Sequence, residues 1–78
     1  MARLLLLGPA REAAGTSSDV VEATTVAHVL EMAIARYGSN FEKVLAVSQV
    51  WVNGEQADMS AKVEPNDEVA VLPPISGG

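Results

Sequence analysis

The sequence predicts one α+β domain in which a mixed sheet of about four or five strands packs against one main helix. Three observations favour this class. A long amphipathic helical pattern stands between short apolar runs, an Asn-Gly pair marks a tight hairpin, and 78 residues suffice for a single core. We place the domain at residues 1–74 and expect residues 75–78 to form a flexible tail.

Composition and charge exclude several classes of protein. A hydrophobic fraction of 49% is too high for a disordered chain, and a net charge of −5 has the wrong sign for a nucleic-acid surface. The absence of cysteine excludes disulfides, thiolate zinc sites and cysteine nucleophiles. No segment approaches the ~20 apolar residues that span a bilayer. We therefore expect a cytoplasmic protein that binds neither membrane nor nucleic acid.

The first third of the chain predicts two strands joined through a short helix. The continuous apolar run from Arg3 to Leu7 is typical of a central strand covered on both faces. Pro9 near a first turn and Gly15 just past the end indicate one or two helical turns. Residues 19–23 then predict a brief second strand that pairs with the first.

The main helix is the clearest element of the sequence. It begins at Thr24 or Thr25, which can cap free amides, and ends at Gly38. Its apolar residues recur with helical spacing and form one stripe of Val26, Val29, Leu30, Ala33, Ile34 and Tyr37. That stripe requires a sheet to pack on. A shorter helix is expected from about Asn40 to Ala46, with Phe41, Val44 and Leu45 facing inward.

The last third of the chain predicts a hairpin followed by a final strand. Residues 48–53 alternate, Asn53-Gly54 predicts a type I′ turn, and residues 55–57 return. A turn at residues 65–67 precedes the last strand, Glu68–Leu72. Two strands, one long helix, a hairpin and a final strand indicate a roll of the ubiquitin-like, β-grasp kind.

The usual catalytic side chains are nearly absent from this sequence. His28, the single histidine, lies opposite the apolar stripe and is expected to face solvent, so we predict no metal site. Trp51 is expected in amphipathic packing or at a contact surface. Four acids lie around turns, where solvated carboxylates are more common than acid/base pairs: Asp58, Glu64, Asp67 and Glu68.

The C-terminal segment is the remaining candidate site. Pro73 and Pro74 lack amide donors and fix φ, so they end the sheet ladder and hold the chain extended. Gly77 and Gly78 have no Cβ and can thread a narrow channel. The reactive group would be the Gly78 carboxylate. Terminal Gly-Gly is more often unstructured slack, but the proline pair, the adjoining strand and the lack of a competing site favour a function.

Four segments together resemble the small sulfur-carrier subunits of molybdopterin synthase: residues 10–15, Val52-Asn53-Gly54, residues 67–70 and, above all, Pro73-Pro74-Ile75-Ser76-Gly77-Gly78. The resemblance implies that a ubiquitin-activating-like adenylyltransferase uses ATP to adenylate Gly78, and that sulfur then replaces AMP to give a thiocarboxylate. The large synthase subunit would bind the tail, and the sulfur would attack cyclic pyranopterin monophosphate. The resemblance implies no bound cofactor, and an assembly of two small and two large subunits.

The same resemblance assigns roles to particular residues. Gly78 would carry the reaction, and the tail contacts would be Gly77, Ser76, Ile75, Pro74 and Pro73. Leu72, where relatives often have an aromatic residue, and Arg11 are candidates for the partner interface. A solvated loop charge is an equally good interpretation of Arg11.

Three other functions remain open at this point. The chain could be a thiamine-type sulfur carrier, although those are shorter and usually lack the proline pair. It could be a ubiquitin-like modifier that joins Gly78 to lysines, because the same activated carboxylate can meet an amine. It could also be an interaction module whose sheet binds a partner while the tail is idle.

Overall fold

The computed structural model describes residues 1–74 as five strands and three helices. In chain order these are β1 (Ala2–Leu6), α1 (Pro9–Ala14), β2 (Ser18–Val21), α2 (Val26–Tyr37), α3 (Ser39–Leu45), β3 (Gln49–Val52), β4 (Glu55–Gln56) and β5 (Glu68–Leu72). Among these helices, none has the length and apolar character that crossing a membrane requires.

The strands form one mixed sheet in the order β2-β1-β5-β3-β4. β1 and β5 lie side by side at its centre and are parallel, with Leu4 opposite Val69, while the outer pairs are antiparallel. A mixed five-stranded sheet that packs against one long helix is the predicted β-grasp arrangement. The predicted fold is therefore confirmed.

The main helix forms where the sequence predicts it. The Thr25 hydroxyl accepts the His28 amide at 3.2 Å and caps the first turn, and the Gly38 amide closes the last turn on the Ile34 carbonyl. Of the predicted apolar stripe, Ile34 and Tyr37 are half-buried. The other four are buried: Val26, Val29, Leu30 and Ala33. The stripe thus packs against the sheet as the periodicity requires.

A single core fills the space between the helices and one face of the sheet. Its largest members are fully buried: Phe41, Leu4, Leu6, Val21, Val26, Val29, Val69 and Val71. Phe41 on α3 meets Tyr37 on α2 edge to face, with ring centroids 5.2 Å apart. This aromatic pair joins the two helices at the place where the chain turns.

The prediction that the first strand is covered on both faces is wrong. β1 is central, as predicted, but its burial alternates, with Arg3 exposed and Leu5 half-buried between buried neighbours. All three helices lie on the side of the sheet opposite to Arg3 and Leu5. Of the residues in β1, only Ala2, Leu4 and Leu6 therefore enter the core. Burial thus alternates from one residue to the next along β1, although the four successive leucines show no such alternation in the sequence.

The second strand is shorter than predicted and ends at Val21. Beyond it the chain leaves β1 to meet the segment before β5, because the Thr24 carbonyl accepts the Val63 amide at 2.9 Å and Thr25 bridges to Lys62. These bonds take the backbone out of the sheet before residue 23. The first strand is likewise shifted by one residue from the predicted bounds.

The Asn53-Gly54 hairpin is confirmed and also secures β5. Asn53 and Gly54 have φ values of 51° and 84°, as a type I′ turn requires. The Asn53 side chain accepts the Glu68 amide at 2.9 Å and donates to an Asp67 carboxylate oxygen at 3.0 Å. The turn that joins β3 to β4 therefore also positions the first residue of β5.

A polar cluster closes the free edge of β2. The Val20 amide donates to the Asp19 carboxylate at 2.8 Å, and Arg36 donates to the Val20 carbonyl at 2.7 Å and to Asp19 at 2.9 Å. Tyr37 also donates to Asp19. Both edge groups of Val20 are thus occupied, which protects an exposed strand from unwanted pairing.

Removing a core side chain should destabilise the domain strongly. We expect Leu6→Ala, at a residue that is 1% exposed, to lower the free energy of unfolding by about 2–5 kcal/mol. Urea unfolding followed by circular dichroism measures the change. Val47→Ala is the matched control, because Val47 is 63% exposed and should change stability by less than about 0.5 kcal/mol. Equal effects would contradict this description of the core.

The β2 cluster should make stability depend on pH. The hydrogen bond from the Tyr37 hydroxyl is the main cause that lowers the pKa of Asp19, and the bond from the Val20 amide is the next. Burial, followed by the hydrogen bond to Asp19, raises the pKa of Tyr37 to about 12. Because folding lowers the pKa of Asp19, its ionised carboxylate stabilises the fold fully above the unfolded pKa of about 3.9. This stabilisation is lost as pH falls from that value through the lower pKa of the folded state.

Tyr37→Phe should therefore cost about 1 kcal/mol at neutral pH, with solvent screening included, and much less at pH ~2. Phenylalanine keeps the ring against Phe41, so packing is unchanged. Urea unfolding at both pH values measures the difference. The same loss at the two pH values would show that the hydroxyl acts independently of the Asp19 charge.

Candidate functional site

The candidate site begins where β5 leaves the sheet. Leu72 is the last residue of β5 and pairs with Gln49 on β3, while Val71 pairs with Leu6 on β1. Pro73 and Pro74 follow, both exposed and outside the strand. Proline has no amide hydrogen to donate, so the ladder ends at the predicted residue. We call Pro73-Pro74 the stalk.

The predicted reactive residue and most of the predicted tail contacts lie outside the described residues. These are Gly78, Gly77, Ser76 and Ile75, which therefore remain predictions from the sequence. Within residues 1–74, the structure places the stalk at the end of a central strand. The tail thus starts from the strand that the hydrogen bonds of β1 and β3 hold on both sides.

One face of the sheet is left without a helix in the described part of the chain. Side chains alternate across a sheet, so the residues between the core positions lie on this side. We call it the open sheet face; its apolar members are Leu5, Leu7, Val20, Trp51, Ala70 and Leu72. Leu7 and Val20 are 43% and 48% exposed. A contiguous apolar surface of this kind on a small domain is typical of an interaction site.

Register places the apolar members of the open sheet face side by side. Ala70 on β5 is opposite Leu5 on β1 and Trp51 on β3. One row nearer the stalk, Leu7 follows the Leu6–Val71 pair and so neighbours Leu72, and the Leu7 amide donates to the Val71 carbonyl at 3.1 Å. The face is thus continuous from Trp51 to the foot of the stalk.

Arg11 lies at the rim of the open sheet face. With Arg3, Leu5 and Leu7 it lines a shallow depression beside β1 and the start of α1. Arg3 faces Glu68 at 3.9 Å, and within residues 1–74 neither ion pair includes Arg11. The two interface candidates thus border the same face through Leu7, which lines the depression with Arg11 and neighbours Leu72 in the sheet.

Sequence reasoning did not identify four members of this face: Leu5, Leu7, Val20 and Ala70. For Leu5 and Leu7 the only signal was their position two residues apart in an apolar run. Trp51 is half-buried on this face, and its indole Nε1 donates to the Gln49 side chain at 3.1 Å, which orients the ring. The prediction that Trp51 is an amphipathic packing or surface residue is confirmed.

The remaining polar candidates have structural partners or face solvent. His28 is exposed on α2, as predicted. Asp58 accepts the hydroxyl and amide of Ser60, and these bonds lower its pKa. The Glu64 amide, followed by the Asn53 side chain, lowers the pKa of Asp67. These acids therefore act as turn acceptors, and across residues 1–74 no three His, Cys or acidic side chains are grouped for a metal ion.

Comparison with known proteins gives one family. The model of the ThiS family matches residues 4–78. The chain is 35% identical over 68 residues to the molybdopterin synthase sulfur carrier subunit of Pyrenophora tritici-repentis, a match that covers 81% of this chain and 73% of that protein.

Solved structures give the same fold. SAMP1 from Haloferax volcanii has a TM-score of 0.79 at 27% identity, with 99% of this chain and 98% of that chain covered. The small archaeal modifier protein 1 (SAMP1) from Methanosarcina acetivorans has a TM-score of 0.87 at 23% identity, with 99% and 95% covered.

A chain in the complex of subunits 1 and 2 of the molybdopterin-converting factor from Helicobacter pylori has a TM-score of 0.70 at 19% identity, with 99% of this chain and 97% of that chain covered. At this level of identity the likeness concerns the fold. Together with the family match over residues 4–78, these comparisons establish that the chain belongs to the ThiS family and shares its ubiquitin-like β-grasp fold.

Proposed function

We propose that this protein is a sulfur carrier of molybdenum cofactor biosynthesis, and that Gly78 bears the sulfur. The observation that carries the proposal is the continuity of the open sheet face with the stalk. A partner that packs on Leu7 and Leu72 is already at the residue where the tail departs. The 35% identical relative is a molybdopterin synthase sulfur carrier subunit, which supports molybdenum cofactor biosynthesis as the process that this protein serves.

The first step is activation of the C-terminal carboxylate. A carboxylate is a poor electrophile because its oxygen is a poor leaving group. An oxygen of Gly78 attacks the α-phosphorus of ATP, pyrophosphate leaves, and the acyl-adenylate forms. Hydrosulfide from a donor then attacks the acyl carbon and displaces AMP, and loss of the remaining proton leaves the thiocarboxylate. The adenylyltransferase supplies this chemistry.

The second step is transfer of the sulfur. The thiocarboxylate is an anionic nucleophile that attacks cyclic pyranopterin monophosphate in the large synthase subunit. Two carriers provide the two dithiolene sulfurs, so the assembly has two small and two large subunits. A structure of subunits 1 and 2 of a molybdopterin-converting factor in complex, with the same fold as this chain, supports a large-subunit partner.

The open sheet face is the proposed docking surface for both partners. Its apolar centre would be buried on binding, and Arg11 at the rim would meet an acidic group of the partner. The protein as a whole has a net charge of −5, whereas Arg3 and Arg11 both line the depression at this rim. Docking on the sheet leaves the stalk free to enter the partner's active site.

Protein modification is the second candidate function. The 27% identical structure is SAMP1, and the Methanosarcina SAMP1 is named a small archaeal modifier protein. A modifier uses the same adenylated Gly78 and passes its acyl group to a lysine amine instead of to sulfur. Mass spectrometry distinguishes the two, because a modifier leaves an isopeptide bond from Gly78 to a lysine and a carrier leaves a thiocarboxylate.

Sulfur loading should be visible in the mass of the intact protein. After incubation with ATP, sulfide and the cognate adenylyltransferase, we expect a gain that matches replacement of one oxygen by sulfur. Deletion of Gly78 should abolish this gain while circular dichroism stays unchanged, because the core lies in residues 2–71. An unchanged wild-type mass would contradict the carrier function and favour an interaction module.

Docking should depend on the open sheet face. We expect Leu72→Ser to weaken binding to the large synthase subunit by about tenfold or more, since it removes apolar area at the foot of the stalk. Val47→Ser is the control, because Val47 is exposed after α3 and outside the open sheet face. Isothermal titration calorimetry measures both affinities. Equal affinities for the two variants would rule out this docking surface.

A further inference from the structure

We propose that Gly8 is a positioning residue of the carrier reaction, because it sets the direction in which the stalk leaves the sheet. This inference rests on the proposed function. Gly8 follows β1, and its backbone has φ 58° and ψ −131°, a conformation that L side chains rarely adopt. The backbone conformation of the turn from β1 to α1 therefore favours glycine at this position. The contact with the stalk is a second, independent reason for glycine here.

The Pro73 ring lies directly against Gly8. A Cβ built at Gly8 would be 3.1 Å from Pro73 Cγ, 3.6 Å from Cδ and 3.8 Å from Cβ. A separation of 3.1 Å is tighter than nine in ten real Cβ contacts, so the Pro73 ring would have to shift by a few tenths of an ångström. The missing side chain of Gly8 is therefore the space that the first proline of the stalk occupies.

Gly8 is held firmly on both sides of this contact. Immediately before it, the Leu7 amide donates to the Val71 carbonyl at 3.1 Å and ties the end of β1 to β5. The Gly8 carbonyl itself accepts the Glu12 amide at 3.2 Å and begins α1, which Ala10 anchors in the core. Backbone hydrogen bonds thus hold the chain in place on both sides of Gly8, and the Pro73 ring packs against it.

The position of that ring matters because it sets where the chain leaves β5. Pro73 has a fixed φ, so a shift of its ring also changes the direction of Pro74. A partner whose active-site channel is aligned with the stalk would then receive the stalk displaced. In enzymes, a misplacement of about 1 Å can lower the rate about 100-fold.

Docking and positioning would then depend on different residues. The open sheet face determines how tightly the carrier binds its adenylyltransferase. The contact between Gly8 and Pro73 determines whether the bound tail reaches the phosphorus of ATP. A side chain at Gly8 should consequently lower kcat for adenylation and leave KM nearly unchanged.

The test measures pyrophosphate release by the cognate adenylyltransferase with the full-length carrier as substrate. For Gly8→Ala we expect kcat to fall about tenfold or more, with KM within about twofold of the wild type. Gly38→Ala is the matched control. Gly38 also has a backbone that favours glycine, with φ 97° and ψ −172°, but no neighbouring heavy atom lies within 4 Å of a Cβ built there.

Gly38→Ala should lose comparable thermal stability and keep kcat. Equal kcat values for the two variants would overturn the positioning role and leave Gly8 as a turn residue only. A wild-type carrier that releases no pyrophosphate would instead contradict the proposed function. The two failures are therefore distinguishable.

A double-mutant cycle tests whether the effect acts through the proline ring. In a Pro73→Ala background the ring is absent, so Gly8→Ala should lower kcat much less than in the wild type. If Gly8→Ala instead lowers kcat by the same factor in the Pro73→Ala background as in the wild type, the inference is contradicted. If Gly8→Ala does not fold, NMR of the wild type decides: we expect a nuclear Overhauser contact between Gly8 Hα and Pro73 Hγ, and its absence would overturn the proposal.

Discussion

The parallel pairing of β1 with β5 is the constraint on which the rest of the structure depends. Parallel strands end at the same edge of a sheet, so the end of β5 emerges beside the end of β1. This is why the stalk meets the β1–α1 turn and why Leu7 neighbours Leu72. An antiparallel central pair would place the start of α1 at the opposite edge. The place of the candidate site is thus a consequence of strand direction.

The second constraint is that the helices cover one face only. A chain of 78 residues provides one long amphipathic helix, and its stripe fills the side of the sheet that carries Leu4 and Val69. The alternate residues, Leu5 and Ala70 among them, remain on the other side. Such exposure is unfavourable for an isolated domain but suits one that binds partners, because the apolar area is buried on docking.

The sequence predicted those parts of the fold that depend on local signals. The α2 stripe, the Asn53-Gly54 hairpin and the stop at Pro73 each depend on residues close together in the chain. The coverage of β1 was mispredicted because four successive leucines carry no alternation, and only the position of the helices decides which of them are buried. The contact of Gly8 with Pro73 joins the two ends of the chain, and no local pattern reveals it. Gly78 stays a prediction, made from the proline pair, the adjoining strand, the lack of a competing site and a family resemblance.

The proposed division of chemistry between partners would explain why this fold needs to hold few side chains in fixed positions. If ATP activates the carboxylate on another protein, the carrier needs neither a base nor an oxyanion site. It must instead offer a surface that the partner binds and a stalk that leaves the sheet in a defined direction. Both requirements constrain backbone geometry more than side-chain identity. The fold shared with Haloferax SAMP1 at 27% identity and a TM-score of 0.79 accords with this, because the backbone arrangement is kept while most residues differ.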